Sequence, residues 1–478
     1  MEAPPSACLT SFLHVVLSAC GSGEHSERDP QHGQSGDSGN YKINRHDQKT
    51  PSCDLSRPND AGVPRFVASG NVFGVKLRAV EARVLSVAPW LLALSVAGHL
   101  FMVAFQAKMT MIDLLVYRNG SPHLFSGDLY EWRLDQYADV FPLPFTYPPF
   151  AAAIFTPMSW VPWEASRWIW QLICLGCLYY IVRTSLKLLK LQDPRRAMMW
   201  TALTLWIEPV RTTLNYGQIN LVLVAILIGT LASARNWVGG AGVGFAAGIK
   251  LTPAISGLYF LIQRRWMAAV WSFVAFVVVY GIGWAISPSQ SDKFWFQLLG
   301  DASRVGPVGS AINQSLRGAL SRTVGYDVKT GPIYIVAVLV AAALTWFAVS
   351  RTKDVLALIV SVQMLGLLVS PISWSHHWVW MVPALLWLIY SGGHLLCKIT
   401  AGLWVLLTGG YLISFLLLAQ PNIWDFPRPW IFVALGWGYP AAGLLTLVAI
   451  GLATRRKRDE LLSRDEEAPH TEPTGVAG

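Results

Sequence analysis

The chain has 478 residues, 53% of them hydrophobic and only 14% charged, with a mean hydropathy of +0.42. Soluble domains carry about 25% charged residues, so a soluble globular class is excluded. The formal net charge of +9 invites a nucleic-acid reading, but the Lys and Arg clusters fall in short loops between apolar runs, where they read as cytoplasmic anchors and not as a nucleic-acid surface.

Apolar stretches near or above about 18 residues recur along the chain, which defines an all-α polytopic membrane protein. The 22 Trp residues agree, because an indole has an apolar ring and a polar N–H and so gathers at membrane interfaces. Residues 1–80 are polar and rich in Gly, Ser, Asp, Pro and His, and are expected to form a disordered cytoplasmic region. Within them Leu17-Ser18-Ala19-Cys20 resembles a lipoprotein cleavage box. The preceding segment holds Glu2 and no basic residue, which is unlike a signal peptide and favours an upstream-extended start.

Arg65, Lys76, Arg78 and Arg83 precede a first span at 87–107, which places that end in the cytoplasm and the acidic loop 108–145 outside. Asp113 in that loop lies roughly 8 to 10 Å beyond the span if the helix continues at about 1.5 Å per residue, which is headgroup depth. Tyr147 to Pro162 reads as a partial or interfacial element, followed by one crossing that ends by Leu186; two full spans are the alternative, at the cost of a basic outer loop. Further spans are expected at 198–212, 219–234, 266–287, 331–350, 354–371, 376–392, 398–419 and 430–452. Residues 238–262 are flanked by Arg235 and Arg264-Arg265, so they read as a re-entrant hairpin broken near Lys250 to Pro253, with a single 25-residue span as the alternative. The total is about 10–12 transmembrane helices over 81–455, then a disordered cytoplasmic tail at 456–478. Cys174 and Cys177 form a C-x-x-C inside an apolar helix and read as packing residues.

Four segments then share the outer face: the Asp113 loop, Asn215–Asn220, the loop 288–330 and Ser370–Trp378. Asp113 is the first candidate, a base able to take a proton from a hydroxyl brought within hydrogen-bond reach; the plainer reading is an interfacial carboxylate paired with Lys108 or Arg118. His376 and His377, flanked by Trp374 and Trp378, form a polar aromatic corner suited to a phosphate and a sugar ring, or to membrane anchoring. Neighbouring helical residues point about 100° apart, so one of the two His is expected to face a site. Arg211 offers a planar fork for phosphate, while Gln218 and Asn220 offer amides for sugar hydroxyls or for capping the next helix. Lys250, inside apolar sequence, reaches either a donor phosphate or Glu208. Arg304, Arg317 and Arg322 stand with Asn313, Gln314 and Ser315 in the loop 288–330, on the side where basic residues are not expected, which favours an anionic ligand there. No spacing demands a metal.

Asp113 with Leu114 to Tyr117, Tyr147-Pro148-Pro149-Phe150, Gly217-Gln218-Ile219-Asn220, Gly248-Ile249-Lys250-Leu251-Thr252-Pro253 and Ser370 to Trp378 occur in an order that resembles glycosyltransferase family 87, within the GT-C membrane glycosyltransferases. The resemblance covers about 85–455. It implies a GT-C fold with outer-face loops forming the active site, polyprenyl-phosphate mannose as donor, and a glycolipid acceptor such as a phosphatidylinositol mannoside carrying four mannoses. It also implies an inverting α-1,2 transfer on the outer face of the plasma membrane, with the family's acid mapping onto Asp113 and His376, His377, Arg211 and Lys250 as candidates to stabilise the leaving phosphate. No cofactor is implied. Branching of lipomannan with the same donor is the alternative acceptor. A lipid or sugar transporter, which would show inverted repeats and charged or broken helices near mid-membrane in both halves, and a non-catalytic envelope subunit are the competing classes.

Overall fold

The computed structural model describes residues 72–105, 110–134, 142–391, 394–420 and 426–466, with side chains from Arg83 to Ala453 within those ranges. The expectations for the polar N-terminal region up to residue 71, for Lys108, and for residues 135–141 of the acidic loop lie outside the described residues.

Helices dominate because an apolar chain in hydrocarbon must satisfy its backbone N–H and C=O groups within itself. In chain order they are α1 (Val72–Phe105), α2 (Ile112–Gly120) and α3 (His123–Ser126). A two-residue hairpin of β1 (Arg133–Leu134) and β2 (Leu143–Pro144) follows, then α4 (Pro149–Phe155), α5 (Trp163–Leu188), α6 (Pro194–Thr204), α7 (Glu208–Tyr216), α8 (Asn220–Leu231), α9 (Asn236–Ile249) and α10 (Gly257–Ile262). The second half comprises α11 (Trp266–Ile286), α12 (Pro288–Asp292), α13 (Leu316–Val324), α14 (Pro332–Val349), α15 (Val355–Val369), α16 (Met381–Ser391), α17 (Leu395–Gly409), α18 (Leu412–Ala419), α19 (Trp430–Leu435) and α20 (Gly438–Glu466). The last of these runs through the basic cluster Arg455 to Arg458.

Among the described residues, five helical stretches are long and apolar enough to cross a membrane: Arg83–Phe105, α5, α11, α14 and Trp430–Ala453. The bent pairs α7 with α8 and α17 with α18 raise the number to seven. The sequence-based count of 10–12 is higher because several expected spans are short or broken helices. Residues 198–212 divide between α6 and α7, and 238–262 breaks at Lys250, where the hairpin was expected. The expected span at 376–392 begins as a 3-10 turn, Ser375–Trp380, and becomes α-helical only at Met381.

Close packing is built in by small residues. Along one face of α9, a Cβ at Gly240, Gly244 or Gly248 would lie 2.1–2.3 Å from atoms of α11. This four-residue spacing lets two helices meet backbone to backbone and fixes the end of α9, where Lys250 sits.

Candidate active site

The first determinant of the site is a sharp bend. The chain bends by 119° between α7 and α8, and Gly217 makes the turn at φ +68. A Cβ there would come 2.6 Å from Leu114 Cβ, so glycine serves both the left-handed turn and the close approach of α2. The exposed carbonyls at the end of α7 are met locally. Met111 N–H donates to Asn215 O at 3.0 Å and Gln171 Nε2 donates to Leu214 O at 2.9 Å. Met111 is itself left-handed, and α2 starts immediately after it. Asp113 is therefore carried by a separate short helix pinned to the α7–α8 bend, and not by a continuation of the first span.

That arrangement brings Gln218 to Asp113. The Gln218 amide hydrogen-bonds the carboxylate, while its Oε1 accepts from the hydroxyls of Tyr117 at 3.0 Å and Tyr147 at 3.2 Å. The two tyrosine oxygens are 2.7 Å apart. Asp113 is half-buried and closely surrounded. Burial pushes its carboxyl up to about 6, against the opposing pulls of Gln218 and Lys250.

Lys250 Nζ donates to Asn220 Oδ1 at 3.0 Å and to His377 Nε2 at 3.1 Å, and lies 5.5 Å from the centre of the Tyr147 ring. With Nε2 accepting, the proton of neutral His377 is on Nδ1. Asn220 Nδ2 and Thr213 Oγ1 both donate to the His376 carbonyl, at 2.9 and 3.0 Å, tying the 375–380 turn to the α7–α8 bend. His376 packs edge-on against Tyr216 and His377 and is only 4% exposed. Neither of its ring nitrogens has a hydrogen-bond partner among the described residues, an uncommon state for a buried polar group. Beside Lys250 opens a cleft whose wall includes Asn220, His377 and the apolar Leu223, Leu227, Ile255 and Leu367.

Asp113, Gln218, Asn220, Lys250, His376 and His377 thus converge. Four other expected site residues do not. Arg211 donates to His99 Nδ1 at 2.6 Å and stacks on Trp206 at 5.2 Å, so its fork is engaged inside the bundle and does not meet a phosphate. Glu208 does not pair with Lys250. Its carboxylate accepts from Ile413 N, Ser414 N, Ser414 Oγ and Tyr439 Oη, and so caps the N-terminus of α18, where a helix dipole favours an anion. Trp378 is wholly buried against Trp404 and Tyr439 and offers no face to a sugar. Trp374 is 9% exposed, packed with Val308 and Ile372 and against Gly306.

In the segment 288–330, Arg317 is paired with Asp327, and buried Arg322 donates to the carbonyls of Ser310, Asn313 and Gly436. Asn313 and Gln314 bond the Pro371–Ser373 backbone. Asn313 and Gln314 tie the segment to the histidine turn, whereas Arg304 donates to the Tyr130 and Phe145 carbonyls, at 3.5 and 3.4 Å. Sequence reasoning missed the Tyr117–Tyr147 pair behind Asp113; both lie in quoted motifs, and a Tyr placed before two prolines was the available signal. Among the described residues no group of three or more His, Cys, Asp or Glu is arranged to hold a metal ion.

A helical membrane protein with a carboxylate, a lysine and two histidines gathered at the broken ends of its helices fits the class of lipid-linked glycosyltransferases. The profile described as glycosyltransferase family 87 matches residues 145–371. The chain is 42% identical over 377 residues to a polyprenol-phosphate-mannose-dependent α-(1-2)-phosphatidylinositol pentamannoside mannosyltransferase of Mycolicibacterium smegmatis, covering 77% of this chain and 92% of the relative. A protein of the same description from Mycobacterium tuberculosis is 39% identical, over 79% of this chain and 90% of its own. A polyprenol-phosphate-mannose-dependent α-(1-2)-phosphatidylinositol mannoside mannosyltransferase of Mycobacterium tuberculosis is 33% identical over 64% and 76%. No solved structure matches the chain significantly. This chain belongs to glycosyltransferase family 87.

Proposed function

We propose that the protein transfers mannose from polyprenyl-phosphate mannose to a phosphatidylinositol mannoside, extending a tetramannoside to a pentamannoside through an α-1,2 bond. The active site faces the extracytoplasmic side of the plasma membrane. The substrate assignment rests on the likeness to the two mannosyltransferases that match nine-tenths of their own length.

The observation that carries the mechanism is the polar cluster in which Asp113 and Lys250 feel each other's charge across Gln218 and Asn220. The acceptor 2-hydroxyl gives its proton to the Asp113 carboxylate as its oxygen forms a bond to the anomeric carbon. The bond from that carbon to the phosphate oxygen breaks in the same displacement, so configuration inverts. Polyprenyl phosphate leaves with the electron pair, and its growing charge is met by Lys250 and by N–H groups of His376 and His377. The apolar wall beside Lys250 and His377 suits the first isoprene units of such a donor. Gln218 and the two tyrosine hydroxyls hold the carboxylate in place.

Purified protein given radiolabelled polyprenyl-phosphate mannose and a panel of acceptors tests this reading. Extension of the phosphatidylinositol tetramannoside supports it. Labelling of lipomannan alone would move the acceptor to a branching polymer, and failure of a well-folded protein to transfer to any acceptor would refute the reaction.

A further inference from the structure

A second basic feature lies beside this site and takes no part in the steps above. Arg133, on β1, donates through Nη1 to the carbonyls of Tyr130 at 2.8 Å and Trp132 at 2.9 Å. Arg304 donates through Nη2 to the same Tyr130 carbonyl at 3.5 Å and to Phe145 O at 3.4 Å, with its guanidinium 5.4 Å from the centre of the Tyr130 ring. Two guanidinium groups therefore converge on one carbonyl oxygen. Among the described residues neither has a carboxylate within 4 Å. Among the described residues, the acids whose charge Arg304 feels are committed elsewhere: Glu131 to Lys293, and Asp301 to the N–H and hydroxyl of Ser303. Burial and the neighbouring Arg133 charge lower the Arg304 pKa, as expected for two cations held together.

Position narrows the ligand. Tyr130 donates its hydroxyl to the Tyr147 carbonyl at 2.9 Å, and the Tyr147 hydroxyl stands in the Asp113 cluster. The arginine pair is thus linked to Asp113 through Tyr130, Tyr147 and Gln218. It also sits where α11 leaves the apolar layer: Gln290, just past that helix, accepts from Tyr130 N–H at 3.3 Å, and Phe294 stacks on the Tyr130 ring. The donor phosphate is attached to the reacting carbon and must lie at Lys250 and the histidines. The acceptor's phosphodiester is separated from the reacting hydroxyl by several sugar rings and stays at headgroup depth. Guanidinium forks match phosphate oxygens in pairs.

We infer that Arg133 and Arg304 form a subsite for the phosphodiester of the acceptor lipid, holding its headgroup while the distal mannose reaches Asp113. This subsite rests on the reaction proposed above. It is tested with purified full-length protein, polyprenyl-phosphate mannose, and two acceptors: phosphatidylinositol tetramannoside and uncharged octyl α-mannoside. Arg304→Ala should raise KM for the tetramannoside, and lower its kcat/KM relative to the uncharged acceptor, by at least about tenfold, the scale of a lost charge-assisted contact. Arg304→Lys should lose less, and Arg133→Ala should shift the ratio in the same direction. A parallel fall with both acceptors would make Arg304 structural and overturn the subsite. A raised KM for the donor, with the acceptor ratio unchanged, would assign the arginines to the donor phosphate and also overturn it. Wild-type protein that uses both acceptors equally refutes the subsite alone, whereas wild-type protein that transfers to neither refutes the reaction and the subsite with it.

Discussion

Two buried polar clusters lie on either side of the α7 helix, and they differ in how completely they are satisfied. Around Glu208, four donors meet two carboxylate oxygens, and Arg211 closes against His99, Asn215 and the Trp206 ring. Around Asp113, the acid has one amide and a nearby cation, and both ring nitrogens of His376 remain without partners among the described residues. Both clusters offer a carboxylate and a cation to a reader of the sequence. Bonds already spent on the protein's own backbone hold helices together, whereas groups with bonding capacity left over can act on a substrate. The contrast also explains the cost of each: a fully bonded buried charge is destabilising chiefly when one partner is removed.

Mutations should separate the two clusters. The largest effect is expected for Asp113→Asn, which removes the proposed base and keeps the shape. Turnover should fall by at least about a hundredfold, within the range of general-base contributions, with folding and membrane insertion unaltered. His376→Ala and His377→Ala should each cost at least about tenfold in rate, and unequally, because His377 is bonded to Lys250 while His376 is not. Equal and negligible losses, read by single-turnover kinetics, would leave the turn as a packing element of the helix bundle. Glu208→Gln belongs to the other cluster. It should cost about 1.5–3 kcal/mol of stability, seen as a lower midpoint of thermal unfolding in detergent, by weakening the cap on α18. Its turnover per folded molecule should drop far less than that of Asp113→Asn. Gly244→Leu should also act through stability, since its side chain would meet the α11 backbone. A variant that folds as well as wild type would show that α9 and α11 are free to separate.

Much of this was legible in the chain. The apolar runs and flanking charges announced a polytopic helical protein, and the break near Lys250 fell where Lys250-Leu251-Thr252-Pro253 placed it. Asp113, Gln218, Asn220, Lys250, His376 and His377 were each visible as polar residues in short segments expected on one face. Arg211 and Glu208 looked equivalent to them because a sequence shows which groups need partners but not which partners fold supplies. The donors that satisfy Glu208 come from Ile413, Ser414 and Tyr439, some two hundred residues away. Trp378 was misplaced for a related reason: a Trp beside a membrane-facing turn usually sits at the interface, yet here the turn is tucked against α17 and α20. The arginines of 288–330 were expected to meet an anion, but Arg317 pairs with Asp327 and Arg322 is spent on three carbonyls, while Arg304 makes only long contacts to two carbonyls.

The central claim is that an ionised Asp113, held in a half-buried polar cluster, is the base for transfer. A carboxyl serves as a base only when deprotonated, and burial raises its pKa to about 6, so activity should be lost as pH falls through that value. An unperturbed aspartate would stay active to about pH 4. The direct test is the pH dependence of kcat/KM for wild type and for the residual activity of Asp113→Asn. The account predicts an acid limb with a midpoint near 6 in the wild type and its disappearance in the variant. The same limb in both proteins, or a flat wild-type profile down to pH 5, would contradict it.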